Sequence, residues 1–189
     1  MHLNKDNIFF ISDTHFWHKN VIKFDNRPFK SVEEMNEALI LNWNNVVKKD
    51  NIVFFLGDFA FAGITKTKEI ADRLNGIIHV ITGNHDNTKL LAKTGRFVSI
   101  EGYKEIWIEG TLICMSHYPM IVWNSHHRGS IHLHGHSHGS LIPTEFGKTY
   151  YKRKVIDVGC NNINYTPISY LDICKIMNEK AIITIDNHK

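Results

Sequence analysis

Five short stretches of the chain carry side chains of types that can bind metal ions: Asp13-Thr14-His15, Gly57-Asp58, Gly83-Asn84-His85-Asp86, Ser116-His117 and Gly135-His136-Ser137-His138. From them, Asp13, His15, Asp58, Asn84, His117, His136 and His138 offer four imidazoles, two carboxylates and one amide oxygen. A nitrogen and oxygen set without thiolate suits Mn, Fe, Zn or Ni better than a soft metal or calcium. Seven ligands are too many for one tetrahedral ion and suit two ions that share a bridging carboxylate. Paired ions of this kind stand about 3.5–4 Å apart and clamp both oxygens of an in-line displacement. Two divalent ions, two aspartates and a shared hydroxide leave about one positive charge, which an anionic phosphate ester would neutralise.

Each stretch follows an apolar run. Residues 7–11, 52–56 and 77–82 read as strands, the second a continuous apolar run of the kind covered on both faces. Between them, Ser31 followed by Glu34 is a capping-box signature. It opens a helix whose apolar residues Val32, Met35, Leu39, Trp43 and Val46 recur every three or four positions. Residues 66–74 form a second helix stopped by Asn75-Gly76, and 89–93 a short third. Further on, 98–100, 104–108, 111–115, 131–134, 154–158 and 181–185 read as strands and 169–177 as a helix. A β-α-β-α-β half followed by a β-rich half predicts two packed sheets with helices outside. All five stretches fall at strand ends, where open α/β sheets bind their ligands.

The order D-x-H, G-D, G-N-H-D, S-H, G-H-x-H, running from Asp13 to His138 over about two thirds of the chain, resembles the calcineurin-like metallophosphoesterase superfamily. The resemblance implies an α/β (α+β) fold, a four-layer αββα sandwich of two mixed sheets flanked by helices. It implies one domain over residues 1–189 without a large cap. One ion would take Asp13, His15, Asp58 and His138. The other would take Asp58, Asn84, His117 and His136, with Asp58 bridging. The ions would be two divalent or mixed-valence transition metals, manganese first among them. His85 would protonate the leaving oxygen and Asp86 would orient its imidazole, while a hydroxide shared by both ions attacks phosphorus in line. Ser116 departs from the glycine that often precedes the fourth-motif histidine.

Two loops adjoin the ligand motifs, 16–29 and 118–134. Arg27, His18, Trp123, His127 and Arg128 are their candidates for substrate contact, because Arg suits phosphate and Trp suits a base. The histidines His132 and His134 alternate along a strand and read as packed core; His2, His79 and His188 have no assigned role. Cys114, Cys160 and Cys174 lack C-x-x-C spacing and read as reduced thiols. A net charge of +3 is too weak to argue alone for a nucleic-acid partner. No apolar run approaches the ~20 residues that span a bilayer, so the expectation is a cytoplasmic protein with no membrane partner.

The expected activity is a metal-dependent phosphodiesterase acting on nucleotides, cyclic nucleotides or nucleic-acid ends, with nucleic acid as substrate only. A phosphomonoesterase at the same site and a non-catalytic scaffold are the alternatives. A structural metal site in a nucleic-acid-binding module fits less well, because such sites are closed Cys/His tetrahedra.

Overall fold

Strand β1 (Ile8–Ile11) sends Ile8 and Phe10 into one core and Phe9 and Ile11 into another. Strand β2 (Ile52–Phe55) repeats the division, with Ile52 and Phe54 on one side and Val53 and Phe55 on the other. Both strands are therefore apolar throughout, as a strand covered on two faces must be. They pair in parallel from Ile8–Ile52 to Ile11–Phe55. Strands β3 (Ile77–Ile81) and β4 (Ser99–Glu101) extend the sheet in parallel, and the short β9 (Ile168–Ser169) closes its other edge antiparallel to β1. This computed structural model describes residues 4–186.

The second sheet runs β5 (Tyr103–Ile108), β6 (Thr111–Ser116), β7 (Ile131–His134), β8 (Val155–Asp157). β5 and β6 form a hairpin in which Ile108 pairs with Thr111. Its two linking residues, Glu109 and Gly110, both have positive φ, 47° and 80°, as the twist-matched two-residue turn demands. The other pairs are parallel.

Ile8, Phe10, Phe54 and Leu56 meet Ile113, Met115, Ile131 and Leu133 between the sheets. Helix α2 (Val32–Val46) begins where Ser31 Oγ accepts the Glu34 amide at 3.1 Å. It lays Met35, Leu39, Ile40 and Trp43 on the outer face of the first sheet, beside Ile70 and Ala71 of α3 (Ile64–Arg73). The outer face of the second sheet is covered by Trp123 and by Tyr150 of α5 (Glu145–Tyr150). Two mixed sheets with flanking helices are the fold expected.

Three short elements were not anticipated: α1 (Val21–Phe24), α5 and β9. The remaining helices, α4 (Thr88–Lys93) and α6 (Tyr170–Asn178), stand within a residue of expectation. The strand expected at 181–185 does not form. Ala181 makes one isolated bridge to Arg153, and Ile182 and Ile185 stay about half exposed. Past β1, Ser12 bridges to Gly159 beyond β8, with Ser12 N–H donating to Val158 O at 3.0 Å. This stitch joins the two sheets where the Asp13–His15 loop leaves β1.

Candidate metal centre

The backbone at the strand ends is unusual. Asp13, His15, Asp58, His136 and His138 all have positive φ, between 46° and 66°. For residues with a Cβ this left-handed region costs energy, and such conformations cluster where side chains must be aimed. The loops also interlock. Asp13 N–H donates to Gly57 O at 2.9 Å, His15 N–H to Asp58 O at 3.0 Å, and His136 N–H to the Asp13 carboxylate at 3.1 Å. Two glycines permit this closeness. A Cβ on Gly83 would lie 2.2 Å from Asp58 Oδ1, and one on Gly135 would lie 2.5 Å from Asp13 Oδ2.

The side chains converge into two adjoining groups of metal-ligand type, Asp13 with His15 and His138, and Asp13 with Asp58 and His117. Within each, the ligand atoms lie within 4.8 Å of one another. His15 Nε2 is 3.2 Å from His138 Nε2, and His138 Nε2 is 3.4 Å from Asp13 Oδ1. Asp58 Oδ2 stands 3.6 Å from His15 Nε2 and 3.4 Å from His117 Nε2, so it faces both groups. Asn84 Oδ1 adds an oxygen 3.1 Å from His117 Nε2 and 3.0 Å from His136 Nδ1. Ligands about 2.1 Å from one ion stand roughly 3–3.5 Å from each other. The spacing and donor types therefore fit divalent transition ions.

Outer partners fix two of the rings. His117 Nδ1 meets Leu56 O at 2.8 Å and His138 Nδ1 meets Asp25 Oδ2 at 2.7 Å, which leaves each Nε2 toward the centre. Burial opposes the charge of Asp58, yet contact with His117 holds its carboxyl at about 2. Burial, helped by the neighbouring His138 and Arg27, overrides the pull of Asp13 and Asp58 and pushes His15 down to about 3. Burial also works against a charged His138, but Asp13 and Asp25 on either side outweigh it and push the ring up to about 10. The carboxylates thus draw positive charge onto this spot, the demand that a cation answers.

Several candidates for catalysis and substrate contact have structural partners of their own or lie away from the centre. Arg27 is buried, with Nη1 donating to Thr14 O at 2.9 Å and Nη2 to Asp13 O at 2.8 Å. Its Nε and Nη2 hold Asp25 Oδ2 at 3.2 and 3.0 Å. Its guanidinium is thus occupied beneath the Asp13–His15 loop. Trp123 is core: its ring packs under Arg153 at 4.4 Å and Nε1 donates to Ser130 O. His127 and Arg128 sit on the turn His126–Arg128; His127 lines a hollow with Tyr103 and Val122 that includes no ligand residue. Asp86 does not orient the His85 ring. Its oxygens accept the backbone N–H groups of Asp58, Phe59 and Gly83 at 2.8–2.9 Å, bracing the loop that carries Asp58.

Other candidates lie at the centre. His85 is exposed, its ring 5.6 Å from that of His15 and its N–H on Asp58 Oδ1 at 2.9 Å. His18 lies 5.5 Å from His15 and stacks on Phe61 at 4.6 Å. The sequence reading missed Asp25, Phe61 and Tyr118, the last 4.5 Å from His136. An acid two residues before Arg27 was the one available hint for Asp25. His132 and His134 are fully buried, bonded to Cys114 O and Gly135 O. His79 meets Ser99 Oγ at 2.9 Å, while His2 and His188 lie outside the described residues. The cysteines are free thiols. Among the described residues no helix is long and apolar enough to cross a membrane.

The chain is 40% identical over 182 residues to the uncharacterized protein MJ1445 of Methanocaldococcus jannaschii, covering 95% of this chain and 96% of that one. Among solved structures it is similar to AQ665 of Aquifex aeolicus, a protein of unknown function, at a TM-score of 0.71 and 28% identity. That match covers 89% of this chain and 98% of the other. Fainter likenesses include a novel archaeal phosphodiesterase, at a TM-score of 0.41 and 19% identity over 68% of this chain and 72% of that one. At that level a likeness has no weight for chemistry. No protein-family model matches the chain.

Proposed function

We propose that this chain, which belongs to the same family as MJ1445 of Methanocaldococcus jannaschii, is a metal-dependent phosphoesterase acting on diesters. The observation that carries the reading is the convergence of Asp13, His15, Asp58, His117 and His138 into two groups that share Asp13, with Asp58 facing both. Asp13, His15, Asp58 and His138 would hold one ion. Asp58, Asn84, His117 and His136 would hold the second. Bound there, divalent ions supply Lewis-acid polarisation of a phosphoryl oxygen and a nucleophile drawn from water at neutral pH.

The protein's own part is position and proton transfer. Asp25 and Leu56 O fix the outward nitrogens of His138 and His117, so the inner ones have one direction to point. Asp86 braces the loop of Asp58 through three backbone amides. His85, held by its own amide to Asp58 and exposed beside His15, is placed to give a proton to a leaving oxygen. Exposed Asn84 and His85 leave the centre open on one side, which supports a substrate with groups on both phosphate oxygens.

The test is removal and return of the metal. Stripped with a chelator, the protein should lose diester hydrolysis. Restored with Mn²⁺, it should regain it together with two ions per chain by elemental analysis. Activity that survives complete stripping sinks the reading; hydrolysis confined to monoesters sinks the diester part.

A further inference from the structure

Three large rings lie open to solvent around this polar centre. Phe24 is 72% exposed, Phe61 56% and Tyr118 51%. Exposed apolar rings gathered at a site of charged groups call for a ligand with a flat apolar face. They fall into two sets. Phe24 packs on His18 and His18 stacks on Phe61, whose ring lies 6.2 Å from that of His85. Tyr118 instead abuts His136 at 4.5 Å and His117 at 5.3 Å. One platform thus flanks the proton donor's side of the centre and the other flanks the His117 side.

Beside His85 the surface sinks into a hollow of about 380 Å³, walled by Phe61, Ala62, Leu90 and Asn87. This volume is in the range that holds small ligands. Asn87, which also lines the hollow, uses Oδ1 to cap α4, accepting the Leu90 amide at 3.0 Å. A ring platform beside a polar, amide-lined hollow at a phosphate-binding centre is a setting that receives a nucleobase by stacking.

We propose that this hollow is the leaving-group subsite, that the leaving group is a nucleoside stacked on Phe61, and that Tyr118 receives the nucleoside on the retained side. The substrate class is then a phosphodiester joining two nucleosides, as in a single-stranded oligonucleotide. The cleavage step, though not the binding, rests on the phosphoesterase reading. In that step a water oxygen bonds to phosphorus and the bond from phosphorus to the nucleoside oxygen breaks. His85 gives its proton to that oxygen and is reprotonated from solvent, while the attacking water releases one proton. The products are a nucleoside and a nucleotide monoester.

The experiment compares deoxyadenylyl-deoxyadenosine with the methyl ester of deoxyadenosine monophosphate, using Mn²⁺-loaded protein. Both are alkyl diesters, and they differ in whether the leaving group carries a base. One stacked base is worth roughly tenfold. The kcat/KM ratio should therefore favour the dinucleotide by about that factor and fall by about the same factor in Phe61→Ala. Calorimetry with the phosphorothioate dinucleotide should show a similar weakening in Phe61→Ala. Equal kcat/KM for both esters, or a ratio that Phe61→Ala does not lower, overturns the subsite and leaves the chemistry standing. Binding that needs Phe61 without hydrolysis of any ester keeps the subsite and removes the enzyme reading.

Discussion

Replacing Arg27 by Met separates two accounts of a residue that the sequence alone suggests for substrate contact. The side chain is 0% exposed and spends its donors on Asp25 and on the carbonyls of Asp13 and Thr14. Met fills similar volume but donates nothing. Removing one partner of a buried pair costs about 3–5 kcal/mol, because the other charge stays buried. The Thr14 carbonyl, left without its donor, would add about 1–3 kcal/mol if independent, while the Asp13 carbonyl keeps the Cys160 thiol at 3.1 Å; groups in one network do not add. The expected loss is therefore about 3–5 kcal/mol, a large share of the 5–15 kcal/mol typical of a domain. Urea unfolding of metal-free wild type and variant, with unchanged slope, reads it directly. Asp25, released from the guanidinium, should also hold His138 less well, and loss of such an outer partner typically weakens ion binding 10–100-fold. A loss below about 1 kcal/mol with normal ion affinity and a raised KM would refute the reasoning and return Arg27 to the substrate.

Three further outcomes follow. His85→Ala should lower turnover on a nucleoside diester by about 10²–10⁴-fold while elemental analysis finds wild-type metal; undiminished turnover removes His85 as the acid. Gly83→Ala would press a methyl 2.2 Å from Asp58 Oδ1; a destabilisation of about 1–3 kcal/mol and weaker ion binding by calorimetry are expected, and wild-type affinity contradicts it. His132 is pushed by burial from 6.5 to about 3, neutral between Cys114 O and the Met120 amide. The unfolded chain takes up that proton first, so stability should fall as pH drops below 6.5, by about 2 kcal/mol at pH 5. His132→Gln should flatten this part of the urea-derived profile, and an unchanged slope would exclude His132 as its source.

What was legible in the sequence was whatever depends on local pattern. Apolar runs set β1, β2 and β3, the Ser31 cap set α2, and the residues just past each run supplied the candidate ligands. What was not legible depends on which way a loop side chain turns. Arg27 in a loop beside the centre reads alike whether it faces a substrate or the buried backbone, and only the fold shows its donors occupied. Asp86, next to His85, looks like its partner, yet the tight turn at Gly83 sends the carboxylate to three amides. Residues 181–185 have strand propensity, but only Ala181 makes a bridge, to Arg153 ahead of β8, and propensity without a partner edge makes no ladder. Phe61 and Tyr118, ordinary aromatics in the sequence, gain meaning from the rings they touch.

The most direct measurement is hydrolysis of bis(p-nitrophenyl) phosphate beside p-nitrophenyl phosphate, by protein shown to carry two Mn²⁺ per chain. An activated aryl leaving group needs little help from an acid, so this assay isolates the metal centre from His85. The account predicts faster turnover of the diester, abolished by chelation and restored by Mn²⁺. No turnover of either ester with both ions in place would contradict it.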